Sequence, residues 1–540
     1  MIQASAGRSN GAPSRTEDRP RSDCLIGAPL GAQSAIMPVL AASAASAATP
    51  ISGRRAWIPV GERFGERIRL GVLTRWLTPE IIDEVLESTG RVELRRRLLP
   101  ARAVVYFVLA LSLFGSAESA VQPGYRAVLR TLTEKLRHLP GLGFQRLPTS
   151  SALTRARRRL GEKPLRALFE ETSGPLATPE DLGAYAFGLR LVAWDGTTLD
   201  VPDTEENAAA FGFSNPAINT CGSPQVRLMA LVESGTHGLI DAAFDGVERA
   251  SEYVLARALL AALTPDMLLL ADRYFVGYEL WADARATGAH LIWRVKKGQV
   301  FTPLRVLPDG SYLSIMPTPA ETRRLGADRA AGRAGDGTPQ GHLVRIIDYT
   351  VRSRAEDGST RHDTFRLVTS LLDHRRAPAR ELAIIYNERW EIENSFAELK
   401  NRLRGAGFTL RSRSPELITQ EVYALLTVYH ALCALEHETA RQAGIDPDRI
   451  SFSVTVQLVR LRVPSQAAAT ANRLRWTLEE VATELLDDLL PSRRDRRCER
   501  VKKPPKNKFA IKRRDQPRTP SNVHYAFRVT KHRPLPAETA

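Results

Sequence analysis

The stretch Ala377–Gly405, APARELAIIYNERWEIENSFAELKNRLRG, decides how the rest of this 540-residue chain reads. It has few β-branched residues, no Gly or Pro in its interior and a glycine at its end, which predicts one long helix. On a wheel of 100° per residue, Tyr386, Arg389, Glu393, Lys400 and Arg404 share an arc of roughly 60°. Ile385, Ile392, Phe396, Leu399 and Leu403 gather on the adjoining edge. The expected helix is therefore amphipathic, with a row of Tyr, Arg, Glu, Lys, Arg beside an apolar stripe. A solvated face mixes its charges loosely at i,i+4 spacing. A single acid bracketed by cations also suits a metal ligand lying beside a polyanion. Spacing alone leaves both readings open.

The pattern Tyr386-x2-Arg389-x3-Glu393-x6-Lys400 resembles the Y-R-E-K signature of insertion-sequence DDE transposases, specifically the insertion-sequence-four family. The resemblance implies that Glu393 is the last of three metal-binding acids. It implies that Tyr386, Arg389 and Lys400 handle DNA near the cleaved end, and Arg404 joins them on the wheel. It also implies two aspartates upstream, each at the end of a strand. Asp195 ends the apolar run LRLVAWD, and its Asp-Gly-Thr context, continuing to Asn207 and Phe211-Gly212, is similar to the family's. Asp272 ends LLLAD and is followed by Arg273 and an aromatic residue, again like the family. An acid closing a buried strand is commonly a cap or turn former. Three acids on the corresponding elements of one fold argue for a site. Arg273, beside Asp272, reads as a holder of a carboxylate or a phosphate. Trp293, in LIWRVK, reads either as a core strand residue or as a platform for a flipped base.

Three carboxylates suit phosphodiester transfer. Charge builds on the attacking and leaving oxygens, and two Mg²⁺ ions about 3.5–4 Å apart stabilise both. Mg²⁺ is hard and takes oxygen ligands, so a few carboxylates suffice, with Mn²⁺ as a substitute. The four cysteines, Cys24, Cys221, Cys433 and Cys498, form no C-x-x-C pair. That argues against a zinc site and a disulfide framework and fits a reducing cytoplasm. There is no G-x-S-x-G and no P-loop, which sets aside serine hydrolases and P-loop nucleotide enzymes.

The formal net charge is +16 and the isoelectric point is near 9.9. Such a balance favours a polyanionic partner, nucleic acid before an anionic membrane. The apolar run from Ala103 to Phe114 is too short to span a bilayer. The apolar stretch around Cys433 is interrupted by Glu421, His430 and Glu436. No membrane partner is expected, and the start lacks the order of a signal peptide.

Residues 1–52 are rich in Ala, Ser, Gly and Pro and read as disordered. Residues 53–185 read as a helical N-terminal DNA-binding domain. In it, Arg155, Arg157, Arg158 and Arg159 stand either on a solvated face or on a helix-turn-helix-like reader. From 186 to 460 three strands, a helix, a strand, a helix and a strand follow in order. That is α/β, the order of an RNase H-like core, and the resemblance implies a β-rich insertion at about 300–362. A helical segment, 461–490, precedes a basic tail, 491–540. Within the tail, Arg493 to Arg514 carries twelve basic and two acidic residues, a net of +10, and reads as a flexible arm.

The function these features imply is a DNA transposase of bacterial, nucleoid-associated, cytoplasmic type. It would act on terminal inverted repeats and target DNA as a homodimer on synapsed ends. The rivals are an RNase H-like nuclease or resolvase, and a transposase-derived binding protein without catalysis.

Overall fold

The structure is a computed structural model. It describes residues 67–93, 99–115, 123–134, 136, 147–214, 222–296, 298–332, 339–355, 360–405, 407, 409–466, 471–491, 496–497 and 521–532. The segment 1–52, read as disordered, lies outside them.

The N-terminal region is helical, as expected. It comprises α1 (Pro79–Ser88), α2 (Ala101–Leu113), α3 (Tyr125–Thr133), α4 (Ser150–Leu160) and α5 (Lys163–Thr172). The Thr78-Pro79 start works as its chemistry dictates. Pro79 needs no donor in the first turn, and the Thr78 side chain accepts the Ile81 N–H.

The sheet is built from β1 (Leu189–Asp200), β2 (Gln225–Glu233), β3 (Leu239–Gly246), β4 (Met267–Ala271) and β5 (His290–Arg294). Helix α6 (Glu252–Ala258) precedes β4, and α7 (Tyr278–Ala286) joins β4 to β5. In space the order is β3-β2-β1-β4-β5. The first three strands are antiparallel, and β4 and β5 run parallel to β1. This is the RNase H-like core. Beyond β5 the sheet grows by β6 (Tyr312–Pro317), β7 (Gly341–Ala355) and β8 (Thr360–Thr369). These carry the expected insertion, which also holds a helix, Pro319–Ala330. Its far limit is not at residue 362. β8 runs unbroken through that point, and its last residues, Leu367 to Thr369, pair with β5.

The end of the chain differs from the expected tail. Strand β9 (Ser521–Val529) pairs antiparallel with β7. Of the basic stretch 493–514, only Arg496–Arg497 is described, paired with Asn522 and Ser521. The rest lies outside the described residues.

Both faces of the sheet are buried, which is why its strands are near-continuous apolar runs. On β1, Val192 and Trp194 enter one core with α6 and α7, whereas Leu191 and Ala193 enter the other with α2 and α4. That second core also receives the stretch 379–403 and α10 (Pro415–Ala443). α10 is long and apolar enough to cross a membrane by length and composition, yet 89% of its apolar window is buried inside the protein. Two more helices follow, α11 (Phe452–Gln466) and α12 (Ala471–Asp487). The boundary read at residue 460 falls inside α11.

Candidate active site

Alternation along the strands aims two acids at one face. Leu191 and Ala193 of β1 point into the core beneath the stretch 379–403, so Asp195 and Thr197 follow on that face. On β4, Leu268 and Leu270 share the face, and Asp272 follows just past the strand. The parallel register pairs Ala193 with Leu270. Carried two residues on, it sets Asp195 beside Asp272, on strands about 4.8 Å apart. Asp195 does not close its own strand, as the sequence suggested. β1 continues to Asp200 against β2, while its neighbour β4 stops at Ala271. The strand that ends is β4, which opens the sheet edge beside Asp195.

The third acid comes from the opening stretch, which is not one uniform helix. It runs as α8 (Ala379–Ile385), a 3₁₀ segment Tyr386–Trp390, α9 (Glu391–Ala397) and a π segment Glu398–Leu403. No Gly or Pro causes these changes of winding. They fall where side chains are tied outside the helix, a pattern common at functional sites. In the tightened turn the Tyr386 hydroxyl donates to the Ala271 carbonyl at 3.1 Å. Arg389 Nη1 lies 3.6 Å from Asp195 Oδ2, and its Nη2 lies 3.3 Å from Glu393 Oε1. In the widened turn Lys400 Nζ donates to Thr197 Oγ1 at 2.9 Å. The expected apolar stripe holds: Ile392, Leu399 and Leu403 are buried, with Ile385 and Phe396 packed against the same core.

Electrostatics explain the arrangement. Burial pushes the Asp195 carboxyl up to about 6, with Glu252 and Glu393 adding to the rise, while the Gly196 N–H and Arg389 oppose it. Burial disfavours the charge on Arg389, but Tyr386, Asp272, Asp195 and Glu393 together outweigh it and hold its pKa up. The guanidinium thus neutralises the acids. Asp272 Oδ1 is buried with no hydrogen-bond partner. A buried acceptor left without a donor is costly, and a hard cation would take that lone pair. The donors are all carboxylate oxygens, which fits Mg²⁺ or Mn²⁺. Among the described residues the three acids do not form a close ligand cluster of the kind that His237, Glu391 and Asp448 make. Arg389 sits between two of them instead.

The row of expected DNA contacts divides. Tyr386 and Arg389 are each 6% exposed and Arg404 is 7% exposed, so their side chains face the protein. Tyr386 bonds to the last residue of β4, and Arg389 faces Asp195 of β1. Burial pulls the Arg404 pKa down, with Asp200 opposing. Lys400 is half-buried, and burial and Arg404 lower its pKa. Arg273 is exposed beside Asp272. Trp293 is fully buried, with ring centroids 5.9 Å from Trp194 and 5.1 Å from Trp281. It is a core residue and not a platform for bases. In α4, Arg157 is likewise interior and Arg159 pairs with Glu93, which leaves Arg155 and Arg158 exposed.

Glu252 escapes a sequence reading. A Cβ on Gly196 would lie 2.6 Å from its side chain, so the glycine after Asp195 is what admits this fourth acid. The Asp-Gly pair was visible; the approach of α6 to it was not.

Residues 67–170 match the family model described as the insertion element 4 transposase N-terminal region, and residues 186–430 match the transposase DDE domain. The transposase InsG for insertion sequence element IS4 of Escherichia coli K12 is 30% identical over 433 residues, 79% of this chain and 90% of that protein. The putative transposase InsZ of the same organism is 28% identical over 222 residues, 40% of this chain and 68% of that protein. A piggyBac transposase in a synaptic complex with hairpin DNA overlays with a TM-score of 0.37 at 11% identity, covering 76% of this chain and 84% of that one.

Proposed function

Because this chain belongs to the DDE transposases of the insertion element 4 family, we propose that Asp195, Asp272 and Glu393 are the acids at which it works. The protein is a DNA transposase, and the divalent metal is the kind of cofactor its catalytic domain uses. The observation that carries the site assignment is the convergence of Asp195 and Asp272, from adjacent parallel strands, on the helix face bearing Glu393.

Bound there, two Mg²⁺ ions, or Mn²⁺ in their place, would supply Lewis-acid stabilisation of the attacking and leaving oxygens. Asp195, Asp272 and Glu393 are the residues that would hold them. Arg389 offsets the repulsion between Asp195 and Glu393 and keeps both on station. Tyr386 ties the end of β4 to the helix, so Asp272 keeps its place. Lys400 and Arg273 are the cations placed to take phosphates on either side of the cut. Arg389, Tyr386 and Arg404 act as positioning residues.

We infer a homodimer on two synapsed ends, terminal inverted repeats and target DNA as substrates, and a bacterial cytoplasm as the place of action. The domain reading, a helical region to about residue 185 and a catalytic region beyond it, belongs to this proposal. The test is cleavage of paired element ends with Mg²⁺. Asp195→Ala, Asp272→Ala and Glu393→Ala are each expected to abolish strand cleavage and to retain end binding in a gel shift. Substantial cleavage by any one variant removes that acid from the site. No cleavage by the unaltered protein marks it as a binding relic.

A further inference from the structure

The turn between β2 and β3 carries a second constellation. His237 stands there with φ of +59°, a left-handed conformation that a non-glycine residue holds only when its surroundings dictate it. Its ring lies among carboxylates from three other elements. Nε2 is 3.0 Å from Glu391 Oε2, at the start of α9, and 3.6 Å from Asp448 Oδ1, in the turn Pro447–Arg449. Nδ1 is 3.1 Å from Glu398 Oε2. Glu391 and Glu393 are two residues apart and so point about 200° apart around the helix. The constellation is therefore separate from the catalytic acids.

Its geometry is that of a coordination shell. Ligand atoms of His237, Glu391 and Asp448 lie within 4.8 Å of one another. An ion about 2.1 Å from each donor sets neighbouring donors about 3.0 Å apart at octahedral and about 3.4 Å at tetrahedral angles. The Nε2–Glu391 distance matches the octahedral edge, and the Nε2–Asp448 distance lies a little beyond the tetrahedral one. The outer partners also match. A metal-bound histidine gives its other N–H to a carboxylate, and here Glu398 is that carboxylate, itself receiving the Tyr429 hydroxyl at 3.0 Å. Asn394 Nδ2 holds Glu391 Oε2 at 3.0 Å. A cavity of about 450 Å³ opens on the same side chains, which leaves room for water ligands. Onto it also faces Glu436, 8% exposed, whose Oε1 has no hydrogen-bond partner.

We propose that His237, Glu391 and Asp448 form a second divalent-cation site, one that ties the catalytic helix to the β2–β3 turn and to the Pro447–Arg449 turn. One imidazole and two carboxylates select a borderline ion such as Zn²⁺ over hard Mg²⁺. The site is open on the cavity side, and Glu436 is its reserve oxygen donor.

The test uses the full chain with Asp195→Ala, Asp272→Ala and Glu393→Ala combined, titrated with Zn²⁺ by calorimetry. This background lacks the catalytic acids, so the result does not depend on the assignment of the cleavage site. One Zn²⁺ per chain is expected. Adding His237→Asn, which tolerates the left-handed backbone, or Asp448→Asn, which keeps the shape, is expected to weaken it at least tenfold. Circular dichroism checks folding, and Asp448→Asn alone decides should His237→Asn fail to fold. Absence of a Zn²⁺ site in the background overturns the proposal and leaves His237 a protonated clamp. A site unchanged by both variants overturns it too.

Discussion

At the scale of single residues, the site turns on Arg389. One planar fork faces Asp195 with one nitrogen and Glu393 with the other. A lysine has a single point charge and cannot serve both carboxylates at once. Arg389→Lys is therefore expected to lower single-turnover cleavage about tenfold or more, since a hydrogen bond to a charged group is worth about 1.5–3 kcal/mol. End affinity should hold. Normal cleavage with weakened end binding would mean that the fork turns outward to a phosphate. The sequence showed that Arg389 and Glu393 share a helix face; it could not show that the fork turns inward, because Asp195 lies on a strand nearly two hundred residues earlier. His430 supports a second residue-scale expectation. It is buried in α10, and its Nδ1 accepts the Leu239 N–H at 3.1 Å. Burial pushes its pKa down to about 4. The folded value lies below the free value of about 6.5, so its stabilising contribution is full above that pH and is lost as pH falls toward 4. Between pH 7 and pH 5 this amounts to about 2 kcal/mol. His430→Asn keeps an acceptor and removes the titration. In denaturant unfolding at the two pH values, the variant should lose about 2 kcal/mol less than the parent. Equal losses would show that this histidine does not drive the acid response.

At the scale of elements, signals that act within a few residues could be read, and those that act between elements could not. The apolar runs of β1, β4 and β5 are local, and each forms a strand of the sheet. The changes of winding at Tyr386 and Glu398 depend on Ala271 and Thr197, which no local pattern reveals. The same holds for α4. Its arginines look alike in sequence, yet Arg157 is fully buried and docks α4 on α10. It donates to Gln420 Oε1, Ser412 Oγ, the Leu417 carbonyl and the Tyr125 hydroxyl, and lies 3.4 Å from Glu421. Gln420 stands 263 residues later in the chain. Arg157→Ala would deprive Glu421, 4% exposed, of the guanidinium paired with it. Breaking a buried pair this way costs about 3–5 kcal/mol. Arg155→Ala and Arg158→Ala, at exposed positions, should stay within about 0.5 kcal/mol in stability. Chemical-denaturation midpoints separate the three. A small effect at Arg157 would mean that α4 is held by its apolar face alone.

At the scale of the whole molecule, the core topology could be read because a sheet covered on both faces demands continuous apolar strands. The final strand was hidden by charge. Val523, Tyr525, Phe527 and Val529 alternate as a strand should, but they follow a strongly basic run that invites the reading of a tail. With β9 paired on β7, the chain that follows the basic run belongs to the sheet. The basic run's net +10 out of a total of +16 makes it the largest reservoir of positive charge. Cations that neutralise phosphates release counterions, and each such contact adds about 0.9 to the slope of log affinity against log salt on duplex DNA. Replacing Lys502, Lys503, Lys506, Lys508, Lys512, Arg513 and Arg514 by Gln should therefore weaken binding to every duplex alike and flatten that slope. The preference for element ends over unrelated DNA should persist, because phosphate contacts carry no sequence information. The measurement is fluorescence anisotropy on an end duplex and a scrambled one between about 50 and 200 mM salt. An unchanged slope would take the arm out of DNA binding. A loss confined to the end duplex would give it a part in recognising sequence.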